Sequence, residues 1–208
     1  MMEINTVRYS GKTFKSMKIC LNELEKFIRD GVHLETGKPL ERFGGLRSRE
    51  ILGNWLLCAV LNFEQKSERL RICTDPQNGD GVIYDSKQKI LEYMEHILVS
   101  QNGKTEKNIE TLILEHIDKK RNKGGKAYAS GKSLVVFLNR KGENWTPNKI
   151  AKKLPIDLHF NGVWVVGLHG VINEEYIYNV TKLDVSGCPV WQVRIRKDFN
   201  EWVVNRIQ

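Results

Sequence analysis

Long apolar runs are missing from this 208-residue chain: no stretch approaches 18 uninterrupted apolar residues, so a membrane-spanning helix is not expected. The opening residues, Met1-Met2-Glu3-Ile4-Asn5-Thr6, lack the basic-then-apolar order of a signal peptide. Cysteine is sparse and scattered. Cys20, Cys58, Cys73 and Cys188 form no CxxC or Cys/His spacing, which argues against a structural zinc site. Three of them fall within apolar segments, as reduced core thiols of a cytoplasmic protein would. The histidines at 33, 96, 116, 159 and 169 include no HExxH pair, and no GxSxG is present, so zinc peptidase and acyl-transfer chemistry have no support. A nucleotide-binding P-loop is absent too. Gly131-Lys132-Ser133 ends like one, but Lys126 stands where the first glycine is needed, and the segment leads from a helix into a strand. With no internal repeat or low-complexity tract, one domain is expected.

What the chain does have is positive charge. Thirty-three Lys and Arg against 25 Asp and Glu give a formal +8, with a pI near 9.3, which fits a polyanionic partner. Lys119, Lys120, Arg121, Lys123, Lys126 and Lys132 crowd one short span, a candidate surface for nucleic-acid phosphates. Its alternative is a solvated loop. Lys149, Lys152, Lys153, Arg194, Arg196 and Lys197 would extend the surface. Of the tryptophans, Trp55 and Trp164 lie in apolar runs and read as core, whereas Trp145 beside Pro147 reads as exposed.

Apolar periodicity predicts a helix from Thr13 to Arg29, a polar link over Gly31 to Gly45, and a buried helix from Ser48 to about Phe63. Glu50 and Asn54 share a face of that second helix, and a polar stripe on a buried helix needs a network or a site to satisfy it. Strands are predicted at Leu70 to Thr74, Gly81 to Tyr84 and Lys89 to Val99, with turns around Pro76 to Gly81 and at Asp85-Ser86. A helix capped by Thr105 runs through Asp118 or Arg121, and Ser133 to Leu138 reads as a central strand. A short helix from Pro147 to Lys153 precedes strands at Val163 to Leu168, Tyr176 to Leu183 and Val190 to Ile195. Helices and strands therefore interleave, which predicts an α/β fold.

Two acids stand out in this order. Asp80, in Asn78-Gly79-Asp80-Gly81-Val82-Ile83, lies at the entry to one strand; Glu95, in Tyr93-Met94-Glu95-His96-Ile97, lies inside the next. An unpaired carboxylate among Ile, Leu, Met and Val is costly, and a metal or a cationic side chain would remove that cost. Magnesium favours such hard oxygen ligands and often uses one or two carboxylates. Bland alternatives are a turn role for Asp80 and an ion pair for Glu95. Asp75 and Asp85, at strand ends, are rivals to Asp80, and a bulge would bring Glu92 forward instead of Glu95.

Residues from Ser48 to Asn139, with these two acids, resemble the PD-(D/E)XK, or restriction-endonuclease-like, nuclease superfamily. The resemblance implies an αβββαβ core over residues 46–139, an N-terminal helical extension over 1–45 and a C-terminal α/β extension with additional strands over 140–208, all in a single domain. It implies a Mg²⁺-dependent (or Mn²⁺-dependent) endonuclease that hydrolyses DNA phosphodiesters, in restriction or phage defence, as a homodimer or with a partner subunit. Asp80 and Glu95 would bind the metal, and Glu50 would supply a third acid from the preceding helix. The family's lysine, two residues after the second acid, is replaced here by Ile97. His96 points to the opposite face, so Lys126 is the expected substitute, with His116 as the alternative. Without such a lysine the fold would serve as a non-catalytic nucleic-acid-binding protein or an interaction subunit.

Overall fold

The computed structural model describes residues 6–74, 79–100, 107–139 and 144–208. β1 (Thr6–Tyr9) and β2 (Lys12–Lys15) form a hairpin turned by Ser10 and Gly11 at φ 49° and 73°, the left-handed pair that suits two-residue hairpin loops. α1 (Met17–Asp30) follows, capped by the Ser16 hydroxyl, which accepts the Ile19 N–H at 3.5 Å. Short helical turns, α2 (Val32–Thr36) and a 3-10 turn at Glu41–Phe43, lead to α3 (Ser48–Glu64). Then come β3 (Leu70–Cys73), β4 (Val82–Asp85) and β5 (Ile90–Ser100). α4 (Ile109–Arg121), α5 (Gly125–Ala129), β6 (Lys132–Asn139) and α6 (Pro147–Ala151) precede a run of four strands. These are β7 (Gly162–Ile172), β8 (Glu175–Leu183), β9 (Val190–Ile195) and β10 (Trp202–Arg206).

Among the described residues the ten strands form one mixed sheet in chain order. β5, β6 and β7 are parallel to one another, and all other neighbours are antiparallel. Parallel neighbours need crossover connections, and here those connections carry α4 with α5, and α6. Side chains on β6 alternate between two cores. Val135 and Phe137 join α1 and α3 on one face; Leu134 and Val136 join Ile109, Ile113 and Ile117 of α4 and Ile150 of α6 on the other. That double cover explains the continuous apolar run at Ser133 to Leu138. α3 is apolar around most of its circumference because it lies between α1 and the sheet.

The expected order of helix, three strands, helix and strand occupies residues 48–139 as α3, β3, β4, β5, α4 and β6. At the N-terminus the expectation fails. Thr13 to Lys15 is strand, because Phe14 is fully buried opposite Cys73 and Ser16 starts the helix only afterwards. The described part of this extension, residues 6–45, is therefore a hairpin plus helices rather than purely helical. Arg47, not Ser48, occupies the N-cap position of α3. Asn108 caps α4, accepting the Thr111 N–H at 2.9 Å; Thr105, like Asp75 and Pro76, lies outside the described residues. β1, β2 and β10 were not anticipated as strands. Trp145 is half-buried against the α4 and α6 core rather than exposed. All four cysteines are buried as thiols.

Candidate functional site

Strand alternation sends Glu95, Ile97 and Val99 of β5 towards α4, and His96 towards α3. Ile97 is spent on the core beneath α4, so the position where the family's lysine would sit is a packing position here. The register of β5 against β6 is unbroken from Tyr93↔Lys132 to Ser100↔Asn139. No bulge brings Glu92 forward, and its carboxylate instead accepts the Ser133 hydroxyl at 2.7 Å. Asp85 is likewise occupied: Arg69 pairs with it at 2.9 Å, and it caps the N–H groups of Lys87 and Gln88.

Asp80 lies just outside β4, in the turn between Gly79 and Gly81, rather than on the strand itself. Two groups hold it. The backbone N–H of His96 donates to Oδ2 at 2.7 Å, and Nδ2 of Asn54 donates to the Asp80 carbonyl at 3.2 Å. The second contact needs glycine next door, since a Cβ at Gly81 would come within 1.9 Å of Asn54 Nδ2, at a φ of 145°. Asn54 Oδ1 is then left for His96 Nε2, 2.9 Å away. With Asn54 Oδ1 as acceptor, Nε2 carries the proton, and Nδ1 is a buried lone pair beside Gly53 without a partner among the described residues. Burial, helped by the positive charges of Lys120 and Arg49, pushes the His96 pKa down to about 3. His96 is neutral at physiological pH.

Glu95 is nearly enclosed, with 7 % of its side chain exposed, yet is densely partnered. Lys132 Nζ donates to Oε1 at 2.8 Å; Tyr128 Oη and Lys120 Nζ approach Oε2 at 2.5 and 2.9 Å. Burial alone would raise its pKa. The donors from Lys132, Tyr128 and Lys120 outweigh burial and bring it down to about 2. Burial and the adjacent Glu95 push Tyr128 up to about 12. Its ring lies beneath the ammonium groups of Lys132, Lys123 and Lys120, at 4.3, 5.5 and 5.7 Å.

The cation that joins the two acids is Lys120, in the last turn of α4. Its Nζ lies 2.9 Å from Glu95 Oε2, 3.1 Å from the His96 carbonyl and 3.5 Å from Asp80 Oδ2. Burial disfavours the charged lysine, but Glu95, the Tyr128 hydroxyl and the negative charge of Asp80 hold its pKa above the ordinary value. Lys126, the expected substitute, is exposed on α5, and His116 turns back on its own helix, Nδ1 lying 2.8 Å from the Leu112 carbonyl. The sequence did carry a signal for Lys120. It follows Ile113 by seven residues and Ile117 by three, so it shares their inward face. Tyr128 carried none.

Glu50 is buried in the first turn of α3, where its carboxylate accepts the Arg47 N–H at 2.8 Å and lies 3.7 Å from Arg49 Nη2. Burial raises its pKa, and the negative charge of Asp80 adds to the rise. It is thus a third acid on the Asp80 side, held by arginines rather than by Lys120. Among the described residues, no group of three or more His, Cys, Asp or Glu side chains is gathered to hold a metal ion. The oxygens around Lys120 Nζ include two carboxylates and a backbone carbonyl.

Of the basic cluster, Lys119, Lys123 and Lys126 are exposed, while Lys120 and Lys132 are committed to the acids. Arg121 is bridged to Asp118 and Asp157 at 2.7 and 2.5 Å, and Arg194 and Arg196 pair with Glu175. Two open depressions, of about 610 Å³ by Phe63 and Trp202 and about 450 Å³ by Asn22 and Arg42, include none of Asp80, Glu95 or Lys120. No helix among the described residues is long and apolar enough to cross a membrane. In comparisons with protein-family models, curated proteins and solved structures, the chain matches none.

Proposed function

We propose that this chain is a metal-dependent nuclease that hydrolyses phosphodiester bonds, with DNA as its substrate, on a restriction-endonuclease-like core spanning α3 to β6. One observation carries the reading. The carboxylates of Asp80 and Glu95 and the carbonyl of His96 converge on a single position that already holds a positive charge. All three donors are hard oxygens, the kind magnesium and manganese take, and one or two carboxylates suffice when water and phosphate complete the shell. The donor set therefore fits a divalent ion. Asp80, with 31 % of its side chain exposed against 7 % for Glu95, marks the open side.

In this reading Asp80, Glu95 and the His96 carbonyl hold Mg²⁺ or Mn²⁺, and Glu50 lies beside Asp80 as a further acid. When bound, the ion supplies a water of lowered pKa and neutralises charge at the phosphate. Tyr128 and Lys132 fix the orientation of Glu95, and Asn54 with the His96 N–H fixes Asp80. Lys120, rather than Lys126, presents its ammonium to the phosphate. The exposed Lys119, Lys123 and Lys126 beside the site contact the nucleic-acid backbone without reading bases.

Cleavage of plasmid and single-stranded DNA with Mg²⁺ or Mn²⁺ tests this directly. Asp80→Ala and Glu95→Ala are each expected to lower the rate at least about a hundredfold, on the scale of losing one electrostatic element of a site. Activity that survives both substitutions overturns the assignment. A second reading, a nucleic-acid-binding or interaction protein without catalysis, is favoured by one observation: the acids are already neutralised by Lys120 and Lys132. Salt-sensitive binding with no cleavage under either metal supports that alternative.

A further inference from the structure

The Lys120 ammonium and a divalent ion compete for the same oxygens. Glu95 Oε2, the His96 carbonyl and Asp80 Oδ2 all lie within 3.5 Å of Nζ, and a magnesium ion would need such oxygens at about 2.1 Å. Two cations cannot share that position. We propose that Lys120 is an internal counter-ion which an incoming divalent cation expels, so that metal loading and release of the lysine towards substrate are one event. This rests on the metal-site reading above.

The surroundings are built for the exchange. When Lys120 leaves, Glu95 keeps the Tyr128 hydroxyl and the Lys132 ammonium, one on each oxygen. Asp80 keeps the His96 N–H, and its carbonyl keeps Asn54. Neither acid depends on Lys120 for its place. The lysine itself sits in the last turn of α4, next to the exposed residues Asn122 to Lys126, on a flexible four-carbon stem. Charge changes with the exchange. Asp80 and Glu95 are balanced by Lys120 and Lys132 before it; a divalent ion added to this set leaves an excess of two positive charges, which attracts a phosphodiester. The arrangement therefore imposes an order, metal before nucleic acid, and keeps the carboxylates neutralised until then.

Mn²⁺ titration calorimetry on the whole protein, without nucleic acid, tests the exchange. Lys120→Met keeps the stem and removes the competitor, so it is expected to bind Mn²⁺ roughly tenfold or more tightly than the wild type, although cleavage is impaired. Lys132→Met removes a like charge from the other oxygen of Glu95 and is expected to gain less. Asp80→Asn is expected to lose binding. In the wild type, saturating Mn²⁺ is expected to raise acylation of Lys120 by acetic anhydride, measured by mass spectrometry, while Lys132 changes little. Equal or weaker binding by Lys120→Met, a gain no larger than that of Lys132→Met, or unchanged Lys120 acylation overturns the exchange. If Asp80→Asn still abolishes binding in that case, the metal site stands. Absence of saturable binding in all four proteins removes both.

Discussion

A methyl group at position 81 would stand 1.9 Å from the Asn54 amide, at a backbone φ that non-glycine residues rarely adopt. Gly81→Ala must therefore push Asn54 away from the Asp80 carbonyl or shift the Asp80 turn. Its expected cost is about 1–3 kcal/mol of stability in chemical denaturation, with a larger fractional loss of cleavage than of stability. Tyr128→Phe probes the other acid. It removes one donor from Glu95 and leaves the ring in place, so thermal stability is expected to hold within about 1 kcal/mol, while cleavage falls as Glu95 loses its orientation. A Tyr128→Phe variant that cleaves at an undiminished rate would mean that the lysines suffice to position that carboxylate. At this scale the sequence pointed to Asp80, Glu95 and the polar pair Glu50 and Asn54. The lysine expected from the sequence was Lys126, whereas the one that reaches both acids is Lys120, placed there by the helix phase of α4.

The C-terminal turn of α4 and the α5 segment serve two purposes. Their inward residues, Lys120 and Tyr128, reach the acids, and their outward residues, Lys119, Lys123 and Lys126, face solvent. Replacing those three outward lysines with alanine is expected to weaken nucleic-acid binding equally across sequences. The slope of log binding against log salt should fall by about 2–3, near one per phosphate contact. Metal affinity in the absence of nucleic acid should be unaffected. An unchanged salt slope would contradict the proposed phosphate contacts of these lysines. Within the core, α3, β5, α4 and β6 were legible from apolar periodicity, whereas α5 was not, its Lys- and Gly-rich segment reading as a loop. The β1–β2 hairpin and β10 were not, because short edge strands carry little pattern and depend on their neighbours for definition.

For the whole molecule, two groups at the site contribute strongly to the acid limb of the stability curve. His96 titrates at about 3 in the folded state against an ordinary 6.5, so the unfolded chain binds a proton that the native state refuses. Its contribution is full above pH 6.5 and is lost as pH falls towards 3, a change on the order of several kcal/mol. Glu95, brought down to about 2 from 4.5, adds stability above pH 4.5 that disappears as pH falls through 2. In metal-free buffer, stability should therefore begin to decline near pH 6.5. His96→Gln is expected to flatten the segment between about 6.5 and 4.5, where Glu95 does not yet titrate. Urea midpoints measured across that range check this, and a wild-type curve that is flat there would contradict the buried neutral histidine. Local events were legible along the chain: the basic charge, the buried α3, the continuous run of β6 and the alternation that puts Glu95 and His96 on opposite faces. These follow from side-chain periodicity and need no distant residue. That Ile97 is core, that Lys120 crosses to both acids and that Asn54 and His96 hold Asp80 emerges only when the chain is folded. Those contacts join residues 16 to 42 positions apart, and their formation depends on the packing of helices against the sheet.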